Sequence, residues 1–191
     1  MTLGIALPLS VPALWGAWIV YWIAAARGAK PMQWRESVGA HILRKLPLLL
    51  CALLLIGPRW LPSPLTAPVA PAGLSLPLAG TIMVAGGLGF AVWARRHLGR
   101  NWSGWVEIKK DHALVRTGPY RLVRHPIYCG LLLALAGTAL AIGEWRGVPA
   151  LVFAVLGFLV TIRAEEAQMR RLFPEYERYR RQTAALIPFL W

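Results

Sequence analysis

The sequence predicts an all-α fold, a polytopic membrane helix bundle with about five transmembrane helices. Three observations predict it. Hydrophobic residues fill 57% of the 191 positions and charged residues only 15%, with a mean hydropathy of +0.52, whereas an average soluble domain is ~45 to 50% apolar and ~25% charged. The apolar residues also fall in runs long enough to cross a bilayer. Finally, the 21 Lys and Arg sit in blocks between those runs, so the net charge of +13 and pI ≈ 11.1 reflect an insertion bias and not a phosphate-binding face. A disordered tail, a coiled coil and a disulfide-stapled module are excluded, since each needs far more charge or cysteine. No nucleic-acid partner is expected. Cys51 and Cys129 lie inside apolar runs and read as small buried hydrophobes.

The uncharged run Leu3 to Ala26 gives the first span, reaching ~36 Å at ~1.5 Å per residue against a hydrocarbon layer of ~30 Å. Its start lacks a basic n-region and the run exceeds a signal-peptide core, so a retained span is expected. Pro8 and Pro12 should bend its first half, and Trp15, Trp18 and Tyr21 mark a packing or lipid face. The second span is Ile42 to Trp60, with Arg44 and Lys45 snorkelling at one end and Arg59 at the other. Five prolines between Leu61 and Pro77 make an exposed connection. The third span, Leu74 to Ala94, is rich in small residues, including Gly80, Gly86, Gly87 and Gly89, which allow a neighbouring helix to come close. Pro126 opens the fourth span, which ends at Ile142; the fifth covers Val148 to Ile162. The short turn between them forces an antiparallel hairpin, and Gly130, Ala134 and Thr138 supply a face for tight packing within it. Beyond Ile162 helical spacing persists through Met169, Leu172 and Phe173, so the last helix should run out of the membrane until Pro174 breaks it.

Counting basic residues by loop places 19 of 21 on one side, in the segments after span one, from Arg95 to Arg124, and from Arg163 to Arg181. The positive-inside rule makes that side cytoplasmic, with the N-terminus outside and the C-terminus inside. The expected organisation is a single integral-membrane domain over 1–191, with three spans in 1–95 and the functional half in 96–191. Groups able to bind a small polar molecule concentrate between His112 and Gly130 and at Arg163-Ala164-Glu165-Glu166. Proline disfavours helical geometry at His125, so the chain should arrive extended and turn into a helix whose first N–H groups suit a carboxylate or phosphate. Ionisable groups at the membrane boundary usually have a partner and a purpose, and Arg163 with Glu166 can pair at i, i+3; a solvated boundary with one surface ion pair is the alternative.

Gly118-Pro119-Tyr120-Arg121, the block Arg124-His125-Pro126-Ile127-Tyr128-Cys129-Gly130, and Glu165-Glu166 followed by Leu172-Phe173, Tyr176 and Tyr179 together resemble the isoprenylcysteine carboxyl methyltransferase family and its phospholipid methyltransferase relatives. The resemblance covers roughly Lys110 to Pro188. It implies an integral-membrane enzyme that uses S-adenosyl-L-methionine, held at the cytoplasmic end of the last two spans by a loop and a C-terminal helix. The cofactor-binding residues it implies are His112, Leu114, Val115, Gly118, Pro119, Tyr120, His125, Pro126, Tyr128, Glu165 and Glu166. His125 and the helix start would hold the methionine carboxylate, and Glu165 or Glu166 its ammonium. Leu114, Val115 and the Gly118-Pro119-Tyr120 turn would hold adenine. Arg163 and Glu166 are the implied catalytic residues, Arg163 orienting an acceptor carboxylate or phosphate bidentately.

The activity so implied is methyl transfer to a membrane lipid or a prenylated, lipid-like acceptor, with carboxylate O-methylation favoured by the resemblance. Phospholipid amine N-methylation is the nearest alternative. A membrane reductase and a non-enzymatic accessory subunit are the others; the chain is short for the reductase. The four histidines lack metal-ligand spacing, so no metal is expected. No GxGxxG follows a strand, which sets aside a Rossmann-type methyltransferase.

Overall fold

Apolar runs set the helices and their polar punctuation sets the ends. The structure, a computed structural model, describes residues 2–27, 32–35, 37–57, 61–71, 73–102, 107–109 and 114–188. Helix α1 covers Thr2–Ala26 and α2 covers Val38–Ile56. A single turn, α3, covers Ser63–Thr66. Then follow α4 (Ser75–Leu98), α5 (Pro126–Ile142), α6 (Gly147–Leu172) and the short α7 (Tyr176–Gln182). Windows in α1, α2, α4 and α6 are long and apolar enough to cross a membrane, and α5 is apolar but shorter. The fold is the expected polytopic bundle.

Each helix end has a physical cause. α2 begins four residues before the predicted Ile42 because Ser37 caps it, its hydroxyl accepting from the Ala40 N–H at 3.3 Å. It ends at Ile56; the predicted end at Trp60 lies outside the described residues. α4 continues past the predicted Ala94 to Leu98, taking Arg95, Arg96 and His97 into its last turn, where cations complement the helix dipole. α6 runs through the membrane boundary to Leu172, and Pro174 separates it from α7, as the sequence predicts.

Two close approaches draw α4 and α5 together. A Cβ on Gly87 would lie 2.5 Å from the Gly130 carbonyl oxygen, and a Cβ on Gly130 would lie 2.5 Å from that of Gly87. Gly80 and Gly137 meet in the same way one heptad along. The small face of α5 therefore packs on α4 and not, as expected from the sequence, within the α5–α6 hairpin. Gly130 and Ala134 both touch α4, while Thr138 accepts from the Trp15 indole of α1 at 3.0 Å. α2 packs mainly on α6, with Leu48 against Gly157.

The helices alternate in direction, so the C-terminal ends of α1, α4 and α6 meet the N-terminal ends of α2 and α5. Arg95 ties this end. Buried, it donates to the carbonyls of Ala25 and Gly99, each at 2.7 Å, and lies 4.4 Å over the Trp102 ring. At the same end a short antiparallel ribbon pairs β1 (Met32–Arg35) with β2 (Glu107–Lys109), joining two loops the sequence left unconnected. At the opposite end the proline-rich connection docks on the α5–α6 turn, where the Val69 N–H donates to Gly143 and the Trp145 N–H to Ala67.

Candidate functional site

The loop entering α5 is held on both sides before it reaches the site. Gly118 has φ +58, and any side chain there would strike the His97 ring, so glycine is required. A 3-10 turn over Gly118–Arg121 then buries Tyr120, whose carbonyl accepts from the Tyr179 hydroxyl at 2.5 Å. Burial pushes the phenols of Tyr120 and Tyr176 well above their usual range and that of Tyr179 up to about 12, so all three stay neutral. The next residues run beside the C-terminal segment: the N–H groups of Arg124 and His125 donate to Ala184 and Ala185 at 2.9 and 3.0 Å. His125, non-helical at φ −123 and ψ 60, ends that pairing, and Pro126 opens α5.

At this corner four ionisable groups meet. Arg124 Nε lies 2.8 Å from Glu166 Oε1, both side chains 8% exposed. The same guanidinium donates to the carbonyls of Arg180 and Thr183, so one cation binds α6 to the tail. His125 turns Nε2 toward Glu166 at 3.3 Å and Nδ1 toward Glu165 at 3.5 Å. With a carboxylate on either side, both ring nitrogens serve best as donors, which requires imidazolium. Burial opposes that charge, but the hydrogen bonds and charges of Glu165 and Glu166 outweigh it and raise the histidine above its usual range. Tyr128, one turn into α5, donates to Glu165 Oε1 at 2.5 Å and stacks between the rings of His125 and Phe158.

These groups border a cavity of about 410 Å³. Of the residues singled out from the sequence, Leu114, Val115, Tyr120, His125, Pro126, Tyr128 and Glu165 line it. The others do not. Gly118 is exposed and Pro119 is buried behind the turn, so both shape the loop without touching the cavity. Glu166 is turned into its pairs with Arg124 and His125. Arg163 is exposed on α6, two residues and therefore ~200° around the helix from Glu165. The guanidinium that borders the cavity is that of Arg124, which the sequence reading quoted in its motif without giving it a role. His112 lies outside the described residues.

Sequence reasoning missed the far wall. Trp18 and Trp22 of α1, Lys45 and Leu48 of α2, and Phe158 of α6 line the cavity, with Gln168, Met169, Tyr176 and Tyr179 closing the tail side. The signal in α1 was the spacing of its aromatics, which marks a face but not what the face meets. Among the described residues there is no group of three or more His, Cys, Asp or Glu placed to hold a metal ion.

Comparison with known proteins gives the family. The phospholipid methyltransferase family matches residues 76–176, more than half of the chain, and the chain belongs to that family. It is 37% identical over 97 residues to the cobalt-zinc-cadmium resistance protein CzcN of Cupriavidus metallidurans, covering 49% of this chain and 44% of that protein. It is 36% identical over 98 residues to the protein-S-isoprenylcysteine O-methyltransferase of Schizosaccharomyces pombe, covering 48% and 41%. The matched stretch thus spans less than half the length of these relatives. In fold it is similar to the eukaryotic intramembrane Ras methyltransferase ICMT, with a TM-score of 0.52 at 21% identity, over 79% of this chain and 51% of that one.

Proposed function

We propose that this protein is an integral-membrane methyltransferase, a single domain over 1–191 that takes its methyl group from S-adenosyl-L-methionine and passes it to an oxygen of an acid-headed, lipid-like acceptor at the cytoplasmic face. The observation that carries this reading is a carboxylate, Glu165, set into a mostly apolar cavity within the stretch that carries the family membership.

The residues fit the donor. Glu165 keeps lone pairs toward the cavity after accepting from Tyr128, which suits an ammonium. The start of α5 supplies Ile127 and Tyr128 N–H groups that have no earlier turn to bond, together with the His125 charge, which suits a carboxylate. Leu114, Val115 and Tyr120 give the apolar surface an adenine needs. When bound, S-adenosylmethionine supplies a methyl group already activated on a sulfonium, so the protein has mainly to align and to exclude water. Arg124, bordering the cavity and fixed by Glu166 and two carbonyls, takes the acceptor-orienting role that the sequence reading gave to Arg163. Glu166 then acts through Arg124 as a positioning residue.

Calorimetry on purified protein in lipid nanodiscs tests the donor. Glu165→Gln should weaken S-adenosylmethionine binding by ~1 to 3 kcal/mol, the scale of one charge-assisted hydrogen bond. Wild-type affinity in Glu165→Gln and in Tyr128→Phe together would sink the assignment.

A further inference from the structure

Gln168 lines the cavity from α6 and is only 9% exposed. Among the described residues its carboxamide makes no hydrogen bond. Neighbouring polar groups of the wall are engaged: Glu165 accepts from Tyr128, and the Tyr179 hydroxyl donates to Tyr120. The Asn101 carbonyl oxygen also lacks a partner, but it is sealed within the protein; the Gln168 amide is not among such sealed atoms, so the exposure it keeps is onto the cavity. Burying an amide with neither end engaged is costly, and a ligand that engages both ends removes the cost.

Position decides which part of a ligand the amide meets. Gln168 stands three residues after Glu165, ~4.5 Å further along α6 and ~60° around it, on the loop side. Phe158 lies two turns before Glu165, toward the middle of the bundle. The α6 wall therefore runs from an aromatic ring through a carboxylate to a neutral amide, and beyond it come Leu114, Val115 and Tyr120 of the loop. The donor has a fixed order of its own: amino acid, sulfonium, ribose, base. With its ammonium at Glu165 and its adenine on the loop residues, the ribose falls at the level of Gln168.

We propose that Gln168 binds the ribose of S-adenosylmethionine, its amide oxygen accepting from one hydroxyl of the 2′,3′-diol and its NH₂ donating to the other. This rests on the donor assigned under the proposed function. An uncharged amide adds little for an ammonium or a carboxylate, which Glu165 and His125 hold with charge. It does carry a donor and an acceptor side by side, and two adjacent hydroxyls can engage both at once. A carboxylate at this position would also accept from hydroxyls, but it would add a third acid beside Glu165 and Glu166; the amide avoids that repulsion. The diol takes no part in methyl transfer, so its contacts are the same in the ground state and the transition state. Gln168 should therefore set the affinity for the donor and leave turnover at saturation unchanged.

The test crosses a change in the residue with changes in the ligand. Calorimetry in nanodiscs compares S-adenosylhomocysteine with its 2′-deoxy and 3′-deoxy analogues and with the analogue carrying hypoxanthine in place of adenine. The proteins are wild type and Gln168→Leu, which has no polar side-chain atom. Wild type should bind S-adenosylhomocysteine about tenfold more tightly than at least one deoxy analogue. Gln168→Leu should bind S-adenosylhomocysteine about tenfold more weakly than wild type, be indifferent to the loss of that hydroxyl, and discriminate against hypoxanthine as wild type does. A variant that still distinguishes the deoxy analogues as wild type does overturns the proposal. So does one that loses its base discrimination instead, which would put the amide on adenine. Equal binding of S-adenosylhomocysteine and both deoxy analogues by wild type overturns the ribose assignment without any variant and leaves the donor standing; no binding of any of the four overturns both. In steady-state methylation Gln168→Leu should raise KM for the donor about tenfold at unchanged kcat, and a fall in kcat at unchanged donor affinity overturns the proposal.

Discussion

At the scale of single residues, His125 sets the charge balance of the site. It faces Glu165 through one nitrogen and Glu166 through the other, and it stacks on Tyr128. Burial alone would lower its pKa, yet the two carboxylates raise it above the usual ~6.5. A group whose folded pKa is raised stabilises the fold fully below its unfolded pKa, and that contribution is lost as pH rises through the folded value. Stability should therefore decline from about pH 6.5 upward in wild type. In His125→Gln, which keeps a donor but cannot titrate, that part of the decline should vanish. Melting temperatures of the two proteins from acid to alkaline pH give the difference curve directly. A difference that grew toward high pH in favour of wild type would mean that His125 is neutral in the fold.

At the scale of elements, the α4–α5 contact decides whether the site forms, because His97 of α4 holds the loop at Thr117 and Gly118 that leads to His125, while α5 itself carries Tyr128. Its closeness depends on glycine. Gly130→Val would drive a side chain into the Gly87 carbonyl and the Ala91 backbone, at ~1 to 3 kcal/mol or more for an overpacked contact. Gly86→Ala, on the same helix but with open space around it, should be neutral or slightly stabilising through helix propensity. Thermal unfolding in detergent should separate the two by several degrees, and equal melting points would mean that the helices are not in close contact. These glycines also show how much of the fold was legible. Apolar runs located five apolar helices, four of them long enough to cross a membrane, and Pro126 and Pro174 marked helix boundaries, because both signals are local. Small residues reveal that a face packs closely but not against which partner, so Gly130 and Ala134 were assigned to the wrong neighbour. The strands Met32–Arg35 and Glu107–Lys109 are too short for their alternation to register. The site was legible on the same terms. Its α5 and loop residues share one sequence block, whereas Trp18, Trp22 and Lys45 reach the cavity only through tertiary packing.

At the scale of the whole molecule, the described residues of the connections 27–37 and 99–125 and the tail 173–188 all lie at the end of the bundle that holds the cavity. Those segments and the adjoining helix ends carry 19 of the 21 basic residues. The positive-inside rule predicts that this end is cytoplasmic, and reporter fusions after Arg116 and Arg146 should then report inside and outside respectively. The opposite pattern would put the cavity away from the compartment where S-adenosylmethionine is made. With this orientation the two substrates have different routes. The proposed donor is water-soluble and would reach the cavity from the loop side, where Leu114, Val115 and Tyr120 line it. A lipid-like acceptor, as proposed, would come from the bilayer side, where α1 and α2 each expose apolar residues, Ile19 and Ile23 on α1 and Leu46 and Leu49 on α2. A tail that stays in hydrocarbon while its head reaches the cavity avoids transferring apolar carbon through water, which costs ~0.8 kcal/mol per CH₂. Acceptor acids of one headgroup and increasing chain length should therefore show apparent affinity that rises steeply with length, while maximal turnover stays nearly constant. Steady-state methylation in nanodiscs, with acceptor concentration expressed per lipid as well as per volume, separates partitioning from binding. If a tail-less, water-soluble acid of the same head is methylated as efficiently as the long-chain acids, the acceptor comes from water and lateral access is wrong.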